Sequence, residues 1–445
     1  MHKSHTGEIN ADPRKRGYRR FLVVFLILDI IGIFLFSYYI LNKAIPDKIR
    51  ILVDKSQSFN LKVPIQAEIE SNDVTVSQIT KSNVPAGQIH IDLNKPFLLQ
   101  ANKTGSYKVN LKLFGWLSIK NISLDVIDTI EVIPCGGTIG ITLETDGILV
   151  LGTAEVMSKD GMNYEPALNI LKTGDYIMEA NNQRLTSKEE LIQIIQACNG
   201  QPVSLKVKRD TQYVTLKVQP VATATGEFKI GTWIRDDTQG IGTLTFVTTT
   251  GDYGALGHGI TDVDTGLLMS VKTGGVYDAE VVNIIKGKSG QPGELSGVIH
   301  ENSLNRIGTI TKNTPQGIFG QIVNTSDIYK RVSNNVYNNP IPIALKQEIK
   351  TGDATILCNV EGQIKEYKIS IESIDFGNKS HSKGLVIKIT DERLKELTGG
   401  IVQGMSGSPI IQNGKLVGAV THVFIRDASM GYGTFIENML EIIQQ

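Results

Sequence analysis

A run of small residues near the C-terminus has the composition that a nucleophilic serine requires. Ser406 lies in the string Gly-Met-Ser-Gly-Ser-Pro, flanked by Gly404 and Gly407. Acyl transfer needs an exposed hydroxyl on a tight turn, with backbone N–H groups close by for the developing oxyanion. Glycines permit such a turn and keep side-chain bulk away from the reacting atoms. The string predicts a nucleophile at Ser406, and the alternative is a Gly/Ser loop that only joins two strands.

A serine hydroxyl also needs a base, which is usually a histidine. Of the seven histidines, four lie in the last part of the chain: His258, His300, His381 and His422. His258 stands in a short apolar run between two glycines, a setting that favours a side chain presented at the end of a strand. His422 ends the predicted strand after the nucleophile and is the alternative base.

The residues alone leave the third catalytic group open. An orienting carboxylate must reach the distal imidazole nitrogen to hold its tautomer. Asp262 and Asp264 follow His258 closely, which places them on its own loop rather than behind the ring. Asp391 begins a predicted helix shortly before Ser406. Spacing does not choose among the three aspartates.

The string around Ser406, followed by the predicted strand Lys415–Thr421, resembles the signature of chymotrypsin-like peptidases. Met405 stands where those enzymes usually have an aspartate. The resemblance implies that the N–H groups of Gly404 and Ser406 form an oxyanion hole.

Longer strings resemble the stage IV sporulation protein B family of signalling serine peptidases. They are RDDTQGIGTLTF, YGALGHGITDVDT, TGGIVQGMSGSPIIQNGKLVGAVTHVF and GYGTFIENM. This resemblance implies a catalytic set of His258, Asp391 and Ser406. It also implies that neither a metal nor an organic cofactor takes part.

The region before the peptidase has the order of elements of a PDZ domain. Thr138–Gly152 predicts a turn, a strand, a turn and a second strand. An amphipathic helix with Ser187 as its N-cap and a hairpin over Val203–Val218 follow. By resemblance to PDZ domains, a loop at Ile139, Gly140 and Ile141 is expected to bind a peptide carboxylate. The alternative is an unrelated small β/α domain.

One segment near the N-terminus predicts the compartment. Phe21–Leu41 is almost wholly apolar, and as a helix it spans roughly 31 Å, about the thickness of bilayer hydrocarbon. The basic residues Arg14, Lys15, Arg16, Arg19 and Arg20 lie immediately before it, so the positive-inside rule predicts a cytoplasmic N-terminus and an extracytoplasmic catalytic part. The segment is long for a signal peptide and no small-x-small site follows it, which favours an uncleaved anchor over a cleavable signal.

Composition excludes several classes of protein. Lys plus Arg and Asp plus Glu both number 45 in 445 residues, so no net charge favours nucleic acid. Three cysteines without a CxxC pair provide neither metal-site spacing nor a closed disulfide framework. Glycine is abundant, at 44 residues, and apolar and polar residues alternate repeatedly after residue 42, which predicts mainly β structure.

We therefore expect a mainly β protein with an N-terminal transmembrane helix, a β-rich stalk domain, a PDZ domain and a chymotrypsin-like β-barrel serine peptidase domain. The predicted bounds are a cytoplasmic tail at 1–20, an anchor at 21–41, a membrane-proximal β region at 42–128, a PDZ domain at 129–220 and a peptidase at 221–445.

The family resemblance implies a role in endospore formation. Such a peptidase is exported from the forespore into the space between two membranes, where it processes itself. It then cleaves a membrane-bound regulator of an intramembrane protease, which leads to activation of a late sigma factor. The expected partners are this protein substrate and the chain itself, without nucleic acid. The alternatives are an extracytoplasmic quality-control protease and a PDZ scaffold whose peptidase unit is inert.

Overall fold

The structure is a computed structural model that describes residues 13–45, 47–59, 65–69, 74–78, 89–113, 115–323, 336–337, 339–377 and 380–444. The chain divides between Thr129 and Ile130 into two compact units.

The first unit begins with a long helix, α1 (Pro13–Ala44). Within it, Phe21–Ile40 has a mean hydropathy of 2.6 and every side chain of this stretch is exposed. The stretch is long and apolar enough to cross a membrane.

Two β-sheets form the rest of the first unit. Their strands are β1 (Lys48–Leu52), β2 (Gln57–Phe59), β3 (Ile65–Ile69), β4 (Val74–Gln78), β5 (Ile89–Asp92), β6 (Phe97–Ala101), β7 (Gly105–Leu113) and β8 (Leu117–Ile127). One sheet has the order β1-β8-β7-β3-β5 and the other the order β2-β6-β4. Alternate residues of β3 and β7 point into a shared apolar core, as the period-two pattern predicts. Apolar and polar residues alternate over 59–69, which predicts one strand, but residues 60–64 of it lie outside the described residues.

The second unit is also mainly β. Its elements up to residue 342 are β9 (Glu131–Pro134), β10 (Thr138–Thr153), β11 (Val156–Met157), β12 (Asn163–Tyr164), β13 (Tyr176–Ala180), β14 (Gln183–Arg184), α2 (Lys188–Ala197), β15 (Val203–Arg209), β16 (Gln212–Val218), β17 (Val221–Ala222), β18 (Phe228–Lys229), β19 (Thr232–Thr248), β20 (Asp252–Ala255), β21 (Thr273–Ile285), β22 (Gly293–Ile299), β23 (Arg306–Thr314), β24 (Gly317–Ile322) and β25 (Ile341–Pro342). After a 3-10 turn at Lys346–Glu348 come β26 (Gly352–Cys358), β27 (Lys365–Ile374), β28 (Leu385–Ile389), α3 (Glu392–Thr398), β29 (Val402–Gln403), β30 (Pro409–Gln412), β31 (Lys415–Val423), β32 (Met430–Phe435) and α4 (Ile436–Ile443).

Two closed barrels carry the peptidase region. In barrel one, pairing runs from β10 to β19, β20, β24, β23 and β21, and β21 returns to β10. Barrel two closes in the order β26-β27-β28-β32-β31-β30. Each barrel encloses its own apolar core. The predicted fold class, mainly β with an apolar N-terminal helix and a β-barrel architecture in the last part of the chain, is confirmed.

Between the two longest strands of barrel one lies an insertion that we call the PDZ-like subdomain, residues Gly147–Asp237. It contains the ends of β10 and β19, the strands between them and helix α2, around a separate apolar core. Its helix and closing hairpin β15–β16 are those predicted, and Ser187 caps α2 by accepting the Glu190 N–H at 3.4 Å.

The subdomain does not have the predicted bounds of 129–220. Residues before Thr145 pair within barrel one, whereas Thr232–Arg235 pairs with the end of β10. The string predicted as turn, strand, turn and strand is one long strand, β10, with a register shift between Glu144 and Leu149. The Asp-Gly pair inside it forms a bulge rather than a turn, with φ of +90° at Gly147.

Candidate active site

The predicted nucleophile lies on a loop between β29 and β30 of barrel two. Met405 is fully buried in the barrel core and fixes the loop from within, whereas Ser406 is partly exposed. The Gly407 N–H donates to the Val420 carbonyl at 2.8 Å, and the Ser408 N–H donates to the Met405 carbonyl at 2.9 Å. These bonds hold Ser406 at the tip of a tight turn, as the sequence predicts.

Gly407 is required by a close approach of two chain segments. A Cβ at this position would lie 2.0 Å from the Thr243 carbonyl oxygen and 2.7 Å from the Leu256 nitrogen, and φ is +98°. The nucleophile loop therefore touches the backbone of barrel one immediately before His258.

His258 is presented by an unusual backbone at the end of β20. Leu256 and Gly257 both have left-handed φ values, of +68° and +70°, and this conformation is uncommon for a leucine. A Cβ on Gly257 would lie 2.9 Å from Cγ2 of Thr421 in β31. His258 is thus brought to barrel two, where its ring centroid lies 4.8 Å from that of His422.

The hydrogen bonding of His258 sets its tautomer. Nδ1 lies 2.9 Å from the Gly259 carbonyl oxygen. Because a carbonyl can only accept, Nδ1 carries the proton and Nε2 keeps the lone pair that a general base uses. Burial lowers the pKa of His258, and the Gly259 hydrogen bond offsets this in part. The imidazole is therefore neutral near pH 7.

The Ser406 hydroxyl donates to the Thr421 carbonyl at 2.6 Å. Among the described residues, no hydrogen bond joins Ser406 to His258. Catalytic hydrogen bonds are often loose or absent without substrate, so this arrangement does not exclude the pair.

Asp391 lies at the N-cap of α3. One carboxylate oxygen accepts the Leu394 N–H at 3.0 Å and the other accepts the Lys368 N–H at 3.3 Å. The structure therefore does not bring Asp391 to His258. All three predicted catalytic side chains bond to main-chain groups rather than to one another.

The other two aspartates face a different partner. Arg235 bonds to both Asp262 and Asp264, the latter at 2.8 Å. Asp262 is buried and also accepts the Thr265 N–H at 2.8 Å. Burial alone raises the pKa of Asp262, but the hydrogen bonds from Thr265 and the Arg235 guanidinium hold it below its usual value. These contacts place both carboxylates in an ion-pair network with Arg235.

The two N–H groups predicted for the oxyanion hole are available. Within the described residues, neither the Gly404 nor the Ser406 N–H has a protein acceptor. Gly404 has φ of +96°, a conformation that favours glycine.

His422, the alternative base, differs from His258 in its surroundings. Its Nδ1 is buried and has no hydrogen-bond partner among the residues that the structure describes. Burial and the neighbouring His258 and Lys383 lower the pKa of His422 to about 4. A neutral ring beside His258 lets that residue gain a proton without a second positive charge in contact.

The predicted peptide-binding loop is wrong in its location. Ile139, Gly140 and Ile141 lie inside β10, paired with β19 on one side and β21 on the other. Both strand edges are occupied, so no free N–H groups remain there for a carboxylate. A Cβ on Gly140 would lie 2.4 Å from Cγ2 of Ile299, so this glycine serves packing in barrel one.

Thr243 and Thr421 were not predicted, although both hydrogen-bond to the nucleophile loop. Threonine is common in strands for packing reasons, so residue type supplies no signal here.

The described residues contain no group of three or more metal-ligating side chains. Cys135 and Cys358 are buried thiols, and burial raises the pKa of each.

Residues 226–440 match the family model described as SpoIVB peptidase S55. No curated protein matches the chain. Among solved structures, the PDZ domain of the SdrC-like protein from Listeria monocytogenes is 24% identical, covering 20% of this chain and 87% of that chain with a TM-score of 0.17. The active form of the Rv3671c protease from M. tuberculosis is 15% identical over 46% of this chain and 74% of that chain, with a TM-score of 0.24.

The HtrA-type protease AlgW with a decapeptide is 9% identical over 70% of this chain and 64% of that chain, with a TM-score of 0.26. With TM-scores below 0.5, these likenesses add nothing to the assignment. The family match coincides with the part of the chain that carries both His258 and Ser406. Residues 226–440 therefore carry a serine peptidase that is similar to the SpoIVB S55 family.

Proposed function

We propose that this chain is a membrane-anchored signalling endopeptidase of sporulation. It cleaves itself and a membrane-bound regulator of an intramembrane protease, and this cleavage triggers activation of a late sigma factor. The family match supports the chemistry and the biological setting. The apolar stretch Phe21–Ile40 supports an anchor, with the basic tail in the cytoplasm and the peptidase outside.

The observation that carries the proposal is the meeting of two loops from two barrels. Gly257 and Gly407 allow the segment before His258 and the loop of Ser406 to approach within contact distance of the opposite barrel. In this reading, Ser406 Oγ attacks the scissile carbonyl while His258 Nε2 takes its proton. The N–H groups of Gly404 and Ser406 stabilise the oxyanion, and the imidazolium then protonates the leaving amine.

The resting hydrogen bonds define what activation requires. The Ser406 hydroxyl has to turn from the Thr421 carbonyl toward His258 Nε2, which a rotation about χ1 can accomplish. Asp391 remains our proposed third residue on the family resemblance alone. In that role its carboxylate would accept the hydrogen bond of His258 Nδ1–H that the Gly259 carbonyl accepts at rest, and the proton would stay on the ring.

Replacement of the nucleophile tests the proposal. The full chain in detergent micelles is treated with a fluorescent fluorophosphonate, and new N-termini are sequenced after incubation. We expect labelling and self-cleavage in the wild type and neither in Ser406→Ala, because the substitution removes only one hydroxyl. Equal labelling of the two proteins would show that Ser406 is not the nucleophile, and an unlabelled wild type would favour the inert scaffold.

The sporulation role needs a test in cells. In a spore-forming host that lacks its own enzyme of this family, the wild-type chain should restore a reporter of the late sigma factor. Ser406→Ala at equal abundance should not restore it. Restoration by the inactive variant would separate the signalling role from peptide hydrolysis, and failure of an active wild type would favour the quality-control alternative.

A further inference from the structure

Thr243 connects the nucleophile loop of barrel two to a strand of barrel one. Its hydroxyl donates to the Gly404 carbonyl at 2.8 Å. Its N–H donates to the Ser406 carbonyl at 2.9 Å. Its own carbonyl accepts the Leu256 N–H at 3.3 Å, two residues before His258. One residue, 2% exposed, thus bonds to both segments that carry the proposed catalytic pair.

The nucleophile loop needs hydrogen bonds from outside the loop to fix its conformation. Glycines stand at both 404 and 407, and glycine opposes backbone rotation less than any other residue. The two carbonyls that Thr243 holds belong to the same residues whose N–H groups are free for an oxyanion. The Gly404 carbonyl belongs to the peptide unit that links the two units carrying the Gly404 and Ser406 N–H groups. If it were released, rotation about ψ of Gly404 and φ of Met405 would change the orientation of one N–H group relative to the other.

We propose that the Thr243 hydroxyl is a positioning group for catalysis, which keeps the oxyanion hole formed and the serine in register with His258. This inference rests on the proposed function, because it concerns the same site. Thr243 does not touch the reacting atoms, so it acts through the loop. Its loss should lower the rate of the chemical step and leave recognition of the reagent unchanged.

The same strand provides a matched control. Thr245 is also fully buried in β19, but its hydroxyl has no hydrogen-bond partner in the part of the chain that the structure describes. A threonine-to-valine change keeps the side-chain shape at both positions. At Thr243 it removes a hydrogen bond to the loop, and at Thr245 it removes none.

The experiment measures the rate of fluorophosphonate labelling of the full chain in micelles over a range of reagent concentrations. The data give the rate at saturating reagent and the reagent concentration that produces half of that rate. Thr243→Val should label about 10- to 100-fold more slowly at saturation, the scale of loss for a catalytic group displaced by about 1 Å. The half-saturating concentration should not change. Thr243→Ser, which keeps the hydroxyl, should recover most of the rate, and Thr245→Val should label like the wild type. Thermal unfolding checks that each variant is folded. If Thr243→Val does not fold, Thr243→Ala is measured in its place.

Three results would overturn the inference: wild-type labelling of folded Thr243→Val, an equal loss in Thr245→Val, or no recovery in Thr243→Ser. A failure of the proposed function looks different, because the wild type itself would then not be labelled at Ser406. The pH midpoint of labelling adds a further distinction. It should be the same in Thr243→Val and the wild type, because Thr243 does not titrate and none of its hydrogen bonds in the described residues reaches the His258 side chain. A shifted midpoint would assign its effect to the base.

Discussion

Asp391 can have two roles, and one pair of substitutions separates them. As the N-cap of α3 it accepts the Leu394 N–H at 3.0 Å. As the proposed third catalytic residue it would hold the tautomer of His258. Asparagine caps a helix about as well as aspartate, whereas alanine does not, with a typical loss of about 1 kcal/mol. Asp391→Asn therefore removes the negative charge and keeps the cap, and Asp391→Ala removes both.

The two roles differ greatly in magnitude. Loss of the cap should lower the midpoint of thermal unfolding by a few degrees. Loss of the orienting carboxylate in a serine triad costs up to about 10⁴-fold in rate, which corresponds to about 5 kcal/mol of activation free energy. Asparagine keeps the cap to the Leu394 N–H but loses the acceptor of the Lys368 N–H. We therefore expect Asp391→Asn to unfold within a few degrees of the wild type and to label with fluorophosphonate at least about 100-fold more slowly. Asp391→Ala should show both losses.

The assay combines differential scanning fluorimetry with labelling rates of the full chain in micelles. Wild-type labelling of Asp391→Asn would refute the catalytic role. The helix cap would then be the whole function of Asp391, and the Gly259 carbonyl, which already accepts the His258 Nδ1–H, would orient the imidazole. Asp262→Asn is the control for the neighbouring carboxylate, and loss of labelling there alone would transfer the role.

The remaining predictions concern the two histidines. His258→Ala should label at least about 10³-fold more slowly than the wild type, because the serine then lacks its base, whereas His422→Ala should keep most of the rate. The reverse order would assign the base to His422. The pKa of His422 is about 4 in the folded chain against an ordinary 6.5, so the unfolded chain binds this proton first. Its contribution to stability is fully present above pH 6.5 and falls as the pH drops toward 4. Thermal unfolding of His422→Phe should therefore depend less on pH in this window, and an unchanged dependence would contradict the assignment.

Local patterns in the sequence identified much of the fold. Ser187 caps α2 because a hydroxyl before a run of helix-forming residues satisfies a free N–H. The helix after Asp391 follows for the same reason. The string around Ser406 predicted a tight turn because its glycines allow one, and the structure adds that the buried Met405 anchors it. These features depend on residues that are close together in the sequence, so they can be predicted from the sequence of one chain.

Features that depend on distant pairing were not predictable from the sequence. The Asp-Gly pair at 146 and 147 is typical of a hairpin turn, but β10 continues through it because β19 pairs on both sides of the bulge. The apolar-rich string at 266–271, GLLMSV, predicts a strand, but these residues form a loop with one isolated bridge at Leu268. The resting partners of Ser406 and Asp391 are main-chain atoms, and residue types do not indicate which carbonyl or N–H lies within reach.

The insertion of the PDZ-like subdomain between β10 and β19 has a consequence for how the chain folds. Pairing of Glu144 with Asp237 joins residues that are far apart in the chain, and the entropy cost of closing a loop rises with its length. A subdomain that folds first brings the two strand ends together before barrel one forms. A fragment that starts at residue 221 lacks β10 and exposes unpaired edges of β19 and β21, which favours aggregation. A soluble peptidase fragment must therefore begin at or before Ile130, and the PDZ-like subdomain assists assembly of the barrel that presents His258.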